Sequence, residues 1–469
     1  MNAKPRTRPA PANNGQPDAK ALALAQRDGR REEGLPRGPH DLTPEEVAAD
    51  QRRRLIGAMV ELVGEQGYAA TTVADLIEAA GISRKTFYAH FADRHELLLA
   101  AFEDTYPDAL EQVKTAAQRG GGPTRRLEAV MRRLCRLAGE SPGTIALSTI
   151  EIAAANPTGL QKRDRLMADY GEVIERCLQT DSDRGLPQTL TQALAGSTHR
   201  TIDAHLRAGR AERLSALAPQ LARWTRSYDP LPDGFDLEQP PPRAWSAGDG
   251  LLGGRAPGTL TLAPNGYTPA GGQSKSFVAH HNREKILDAV AQLISERGYV
   301  PLTAEAIADR ADISERAFLA HFKNKDDAFA AAIEIGHMKA MAIVARIRET
   351  AADWRTGVRD AVGALIEFFA SEPYFTRMAF VDAPLAGAAM ARRMHEHATG
   401  YTRLLLGGAP QRRRPPEVAP EAAVHGLFEL AFHYAVQNRT SELVGVTREA
   451  AYLVLAPFVG VSEAAELAG

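Results

Sequence analysis

No stretch of the chain approaches eighteen consecutive apolar residues, so no membrane span is expected. The N-terminus also lacks the apolar core of a signal peptide, because the alanine-rich run at 21–25 is short and flanked by polar residues. Cysteine is nearly absent: Cys135 and Cys177 each sit among apolar residues at helical spacing, which predicts two buried thiols and no disulfide. These absences point to a cytoplasmic protein without a membrane partner. The formal net charge is only −2, so the whole molecule has no pull toward nucleic acid and any affinity for it must come from a local patch.

Reactive groupings are missing as well. The histidines of His395-Glu396-His397 are two residues apart, about 200° around a helix, and cannot share a metal. Neither Gly253-Gly254 nor Gly271-Gly272 follows a strand or opens a helix, so neither makes a phosphate loop. No nucleophile is paired with a base. No catalytic residue, metal or cofactor is therefore expected, and these histidines, with His280-His281, read as surface groups.

What is present is a helical chain of 469 residues, with hydrophobic (44%) and charged (24%) fractions ordinary for a globular protein and a length that suggests two to four domains. Thr43-Pro44-Glu45-Glu46 reads as a capped helix start, and apolar residues from Val47 to Val63 recur at helical spacing. Gly67 ends that helix. Thr72 caps a second, with Val73, Leu76 and Ile77 on one face, and Gly81 stops it after two turns. Ser83 caps a third, short helix carrying Arg84, Lys85, Thr86, Tyr88 and His90 between Phe87 and Phe91. Helix, tight turn, then a helix bearing cations and hydroxyls is the plan of a helix-turn-helix. Cations offset phosphate charge and reach guanine edges; hydroxyls and the phenol donate to phosphate oxygens.

The run Gly67-Tyr68, Thr72, Ala79-Ala80-Gly81-Ile82-Ser83, Thr86-Phe87-Tyr88, His90-Phe91 and Glu96-Leu97 resembles the DNA-binding domain of TetR-family transcriptional regulators. The resemblance implies DNA contact by Thr72, Ser83, Arg84, Lys85, Thr86, Tyr88, His90 and Arg94. Arg94 stands where the family usually has lysine, near a helix N-terminus expected to face phosphate. It also implies that the helix capped by Asp93 joins this head to an all-α body that binds a ligand and dimerises. Helical patterns over 125–139, 144–155, 160–178, 187–208 and 214–227 fit such a body, but no motif among them names a ligand.

The first half then repeats. Gly67/Gly298, Tyr68/Tyr299, Thr72/Thr303, Ser83/Ser314, Phe87/Phe318 and His90/His321 share an offset of 231, as do Pro142/Pro373 and Tyr170/Tyr401; Gly196/Gly426 and Glu212/Glu442 slip to 230. The expected fold is all-α: two tandem units, each a three-helix helix-turn-helix domain followed by a helical ligand-binding and dimerisation domain. The boundaries read as a disordered tail (1–41), first head (42–92), first body (93–227), a Pro/Gly/Ser-rich linker (228–276), second head (277–323) and second body (324–469). The second head is degenerate. Glu315, Arg316, Ala317 and Leu319 replace Arg84, Lys85, Thr86 and Tyr88, so the formal charge of the reading helix falls from +2 to 0 and two donor hydroxyls vanish. A weaker second DNA surface is expected from Thr303, Ser314, Arg316, His321, Lys323 and Lys325.

The resemblance therefore implies a sequence-specific regulator, a repressor that responds to a small, largely apolar effector. Its partners would be a double-stranded operator and a second unit, either within the same chain as a pseudo-dimer or in another chain as a homodimer. Two other classes remain in view: an adaptor that pairs with another regulator without reading DNA itself, supported by the degraded second head, and an enzyme on a helical scaffold, for which no catalytic grouping exists.

Overall fold

A computed structural model describes residues 43–119, 121–155, 157–178, 185–232, 235, 275–409 and 414–469, and no strand occurs among them. The tail and most of the stretch read as linker lie outside the described residues. The first unit runs α1 (Pro44–Gln66), α2 (Val73–Ala80), α3 (Arg84–His90), α4 (Arg94–Gln118), α5 (Pro123–Glu140), α6 (Pro142–Thr149), a 3-10 turn (Glu151–Ala155), α7 (Thr158–Leu178), α8 (Gln188–Arg207) and α9 (Leu214–Arg226). The segment 144–155, which reads as one helix in the sequence, breaks at Ile150. The second unit repeats the plan: α10 (Lys275–Arg297), α11 (Ala304–Arg310), α12 (Glu315–Leu319), α13 (Lys325–Thr350), α14 (Trp354–Ser371), α15 (Pro373–Arg377) and a π turn (Met378–Asp382). It continues with α16 (Gly387–Leu406), α17 (Ala419–Val436), α18 (Thr447–Val459) and α19 (Val461–Ala468).

Short polar side chains set where the helices begin. Thr43 and Glu46 form a capping box on α1, and Thr72 and Asp75 form another on α2. Ser83 accepts the Thr86 N–H at 3.0 Å, and Asp93 the Glu96 N–H at 2.9 Å. Thr303, Ser314 and Asn324 cap α11, α12 and α13 at the offset of 231. Each cap satisfies a donor that the first turn otherwise leaves bare, worth about 1 kcal/mol.

Beneath the caps, Leu55, Met59, Leu76, Phe87 and Phe91 are buried in the first head, and Ile286, Val290, Ile307, Phe318 and Phe322 in the second. The two cores differ in extent. The first head's core is continuous with that of both bodies, whereas the second head shares a separate core with the start of α13 and with Met378, Ala383 and Met390. The continuity begins where α1 crosses α6 at Gly64 and Gly143. A Cβ on Gly143 would lie 1.9 Å from the Val60 carbonyl oxygen, so the helices touch backbone to backbone. Ser295 and Tyr374 occupy the corresponding positions of the second unit, where no such approach is possible.

The bodies meet through α8 and α17, flanked by α9 and α18. At the centre, Glu429 on α17 accepts two hydrogen bonds from Arg163 (2.6 and 2.8 Å) and one from Arg200 (2.8 Å). Arg163 also donates to the Thr149 carbonyl at 2.6 Å and lies over the Phe432 ring. Burial pushes the Glu429 carboxyl up, but the two guanidiniums outweigh it and hold it at about 2. Ser197 donates to the Ala422 carbonyl, Thr189 to Glu449, and Tyr228 to the Leu453 carbonyl, so these three hydroxyls are paired across the contact.

Cys135 and Cys177 are buried free thiols. α13 is long and apolar enough to cross a membrane, yet more than half of its apolar window is buried in protein, the mark of a core helix. The reading of His395-Glu396-His397 as surface histidines needs correction. His397 is buried with its ring 3.9 Å from that of His337 and its Nε2 3.1 Å from Glu334, because α16 turns this face toward α13.

Candidate nucleic-acid interface

α2 and α3 are held at a fixed angle by a turn that both heads build in the same way. Gly81 takes φ +62° and Ile82 donates back to the Ile77 carbonyl; Asp312 takes φ +53° and Ile313 donates to the Ala308 carbonyl. Aspartate reaches the left-handed region at a cost on the order of 1 kcal/mol, so losing the glycine does not lose the turn. The geometry of the reading helix is therefore common to the heads, and its surface chemistry is not.

In the first head Arg84, Lys85 and Tyr88 are exposed on α3, and neither cation has an ion-pair partner among the described residues. Phe87 is buried beneath them, with Tyr88 set edge-on to its ring at 5.2 Å, so the phenol projects while its neighbour anchors. Ser83 and Thr86 share a 2.8 Å hydrogen bond, which uses one hydroxyl proton and leaves the other for an outside acceptor. Thr72 is exposed, but its hydroxyl donates to Asp75 at 2.8 Å, and this leaves capping as its main task. His90 is half-buried beside Phe91.

Arg94 departs from the expectation of phosphate contact. Its Nη1 donates to the carbonyls of Tyr68 (3.1 Å) and Thr71 (2.6 Å), and its guanidinium lies 4.4 Å from the Tyr68 ring centroid. It ties the α1–α2 turn to α4. Lys325 does the same in the second head, with Nζ 3.5 Å from the Val300 carbonyl and 4.7 Å from the Tyr299 ring. Elsewhere on that head, Ser314, Arg316, Lys323 and Thr303 are exposed and His321 is half-buried. Ser314 and Thr303 serve as caps through the Ala317 and Ala306 N–H groups. Leu319 is 54% exposed where Tyr88 is 52% exposed, and Glu315 stands beside Arg316.

A second device escaped sequence reasoning. The Tyr68 N–H, in the turn after α1, donates to the buried Glu151 carboxylate at 3.0 Å; the Tyr299 N–H donates to the buried Asp382 carboxylate at 2.9 Å. Both acids belong to the bodies, so each adds a buried tie between head and body to the one that Arg94 or Lys325 makes with the same turn. Burial raises both carboxyls, Asp382 to about 6. The counter-charges come from different places. Arg207, on the body-contact helix α8, lies 3.4 Å from Glu151, whereas Arg377, five residues upstream in the same unit, lies 3.5 Å from Asp382. Extending the offset of 231 to Glu151/Asp382 reveals the pair, although the change of residue type conceals it from identity matching.

Comparison with known proteins finds one family's sequence pattern in both heads. The model of the family described as bacterial regulatory proteins, tetR family, matches residues 55–101 and again 286–332. The chain is 25% identical over 212 residues to the uncharacterized HTH-type transcriptional regulator YerO of Bacillus subtilis, covering 40% of this chain and 73% of that protein. It is 25% identical over 173 residues to the HTH-type transcriptional regulator CymR of Pseudomonas putida, covering 35% and 85%. Among solved structures, a TetR family transcription regulator from Marinobacter aquaeolei VT8 aligns at 23% identity with a TM-score of 0.31, covering 37% of this chain and 94% of that one.

Proposed function

From the premise that the chain belongs to the TetR family and carries two TetR-like units in tandem, we propose that it is a small-molecule-responsive repressor acting as an internal pseudo-dimer. Its DNA affinity resides mainly in the first head. Arg84 and Lys85 are the base-reading or phosphate-binding cations, and Tyr88, Thr86 and Ser83 the phosphate donors, with His90 at the edge of the surface. The second head, with no net charge on α12 and hydrocarbon at position 319, reads its half-site loosely. The operator is accordingly asymmetric, and the protein works in the cytoplasm.

The observation that carries the pseudo-dimer is the Arg163–Glu429–Arg200 cluster. At the offsets of 231 and 230 its counterparts are Met394, His199 and Leu430, so the cluster exists only when the first body meets the second. Pairing second bodies with each other would bury Glu429 opposite Met394 and Leu430. Pairing first bodies would leave Arg163 and Arg200 facing His199, which burial holds neutral. The tether favours meeting within one chain, because a linker of about fifty residues raises the local concentration toward the millimolar range. Light scattering at micromolar concentration, with a footprint on DNA from upstream of the protein's own coding region, tests the reading. One chain per particle and two unequally protected half-sites are expected; two chains on two identical half-sites would overturn it. The adaptor alternative draws on exposed Leu319 and predicts no footprint from the purified protein.

A further inference from the structure

A cavity of about 680 Å³ opens between the first head and the second body. This volume is typical of a small-molecule site. One wall is the end of α1 and the turn that follows it, Gly64 to Ala69, together with Glu151 and Arg207; the opposite wall is the second unit's π turn, α16 and α17. Among the described residues the second head contributes none to it. The cavity therefore touches the head that carries Arg84 and Lys85, and it touches the carboxylate that pins that head.

Its chemistry is apolar with a deficit of positive charge. Phe380, Leu385 and Phe428 supply hydrocarbon. Four acids line it (Glu65, Glu151, Asp203 and Glu396) against Arg200, Arg207 and Arg392. Arg200 is spent on Glu429, and Arg207 is shared between Asp203 at 2.7 Å and Glu151 at 3.4 Å, so one guanidinium serves two buried carboxylates. His395 and His425 also line the cavity, and burial holds both neutral, so neither makes up the difference. Glu151 is 2% exposed and raised by burial more than Arg207 lowers it. One oxygen, Oε2, accepts the Tyr68 N–H; among the described residues the other, Oε1, has only the distant Arg207 contact. A buried carboxylate with one oxygen under-used gains most from a cation.

We propose that this cavity binds an apolar organic cation whose ammonium group pairs with Glu151, and that its binding loosens the first head from its body. The proposal rests on the reading of the chain as a ligand-responsive regulator. The amine donates to Glu151 Oε1, turns the carboxylate away from the Tyr68 N–H and draws Arg207 back to Asp203. The turn after α1 then loses its tie to the buried acid and shifts together with α4, to which Arg94 still holds it, carrying α2 and α3 with it. The second head, pinned by Asp382 and Arg377, keeps its place. Coupling of this kind typically changes affinity about 5- to 150-fold.

The experiment is calorimetric titration of the full chain with 4-phenylbutylamine and 1-naphthylmethylamine, set against the corresponding alcohols, 4-phenylbutanol and 1-naphthylmethanol. It is repeated on Glu151→Gln and on Ala204→Trp, which fills the cavity from α8. Operator affinity is measured with and without each amine on a fragment selected from a random pool. The amines are expected to bind at least tenfold more tightly than the alcohols, to lose that advantage in Glu151→Gln, to lose binding in Ala204→Trp, and to weaken DNA binding of the wild type. Equal binding of amines and alcohols, or amine binding untouched by Ala204→Trp, would overturn the site. Amine binding that Ala204→Trp abolishes but that leaves operator affinity unchanged would overturn the coupling. A different small molecule that releases DNA equally from wild type and Ala204→Trp would uphold the ligand-responsive reading and refute this location for it.

Discussion

Tyr88 and Leu319 stand at the same point of the same helix, each about half exposed, and one offers a phenol where the other offers hydrocarbon. Around them the contrast continues. The first head presents two cations without an ion-pair partner among the described residues and sits on a core shared with both bodies; the second presents Glu315 beside Arg316 and sits on a smaller, separate core. What the heads share is what holds the backbone: helix caps, the left-handed turn, the cation over the turn tyrosine, and the buried acid that pins the turn. Duplication has thus kept the parts that make a helix-turn-helix fold while the parts that face a duplex have diverged. Folding and reading are separable properties of the same forty residues, because one depends on the inward face and the other on the outward face of each helix.

The contrast is broken hardest at the body contact, where the first unit supplies Arg163 and Arg200 and the second supplies Glu429. Glu429→Leu leaves two guanidiniums buried without a counter-charge and is expected to cost about 3–5 kcal/mol in urea denaturation. Arg163→Met, Arg200→Leu and Glu429→Leu together should recover most of that loss, because no charge remains to desolvate. Next in size is the α1–α6 crossing. Gly143→Ala drives a methyl into the Val60 carbonyl and should cost about 3 kcal/mol, with faster hydrogen exchange confined to the first head and its junction. Tyr374→Gly, at the same position of the second unit, should leave exchange in the first head unchanged.

A smaller effect separates the two pins by pH. Asp382 has a folded-state pKa of about 6, above its unfolded value, so the native state holds the extra proton between the two and stability falls as pH rises through that window. Asp382→Asn cannot ionise. Relative to wild type it should gain about 1–3 kcal/mol between pH 4 and pH 6.5 and no more above that, as read by urea midpoints at each pH. A difference that shrinks with rising pH would show that Arg377 keeps this carboxylate ionised throughout.

The all-α repeat, the caps and the turn were legible in the sequence because they depend on residues close together in the chain: Thr72 with Asp75, Ser83 with Thr86, Gly81 at the end of two turns. The divergence of the second head was legible for the same reason, being a matter of residue type at fixed spacing. The roles of Arg94 and Lys325 were not, since their partners lie more than twenty residues away in the turn after the first helix. Glu151 and Asp382 each reach back 83 residues, and Arg163 reaches forward 266 to Glu429. No periodicity encodes such distances. The buried face of His397 was missed because the two-residue spacing of His395 and His397 spoke only to a shared metal, and packing against α13 is what turns His397 inward.

The inequality of the two heads is tested most directly by measuring operator affinity against salt concentration for wild type, Lys85→Ala and Arg316→Ala on one DNA fragment. Lys85→Ala should weaken binding across sequences and lower the slope of log affinity against log salt by about one, as expected for a lost phosphate contact. Arg316→Ala should change affinity less than twofold and leave the slope where it was. Equal losses of affinity and equal changes of slope in the two variants would contradict the account, because both heads would then grip DNA alike.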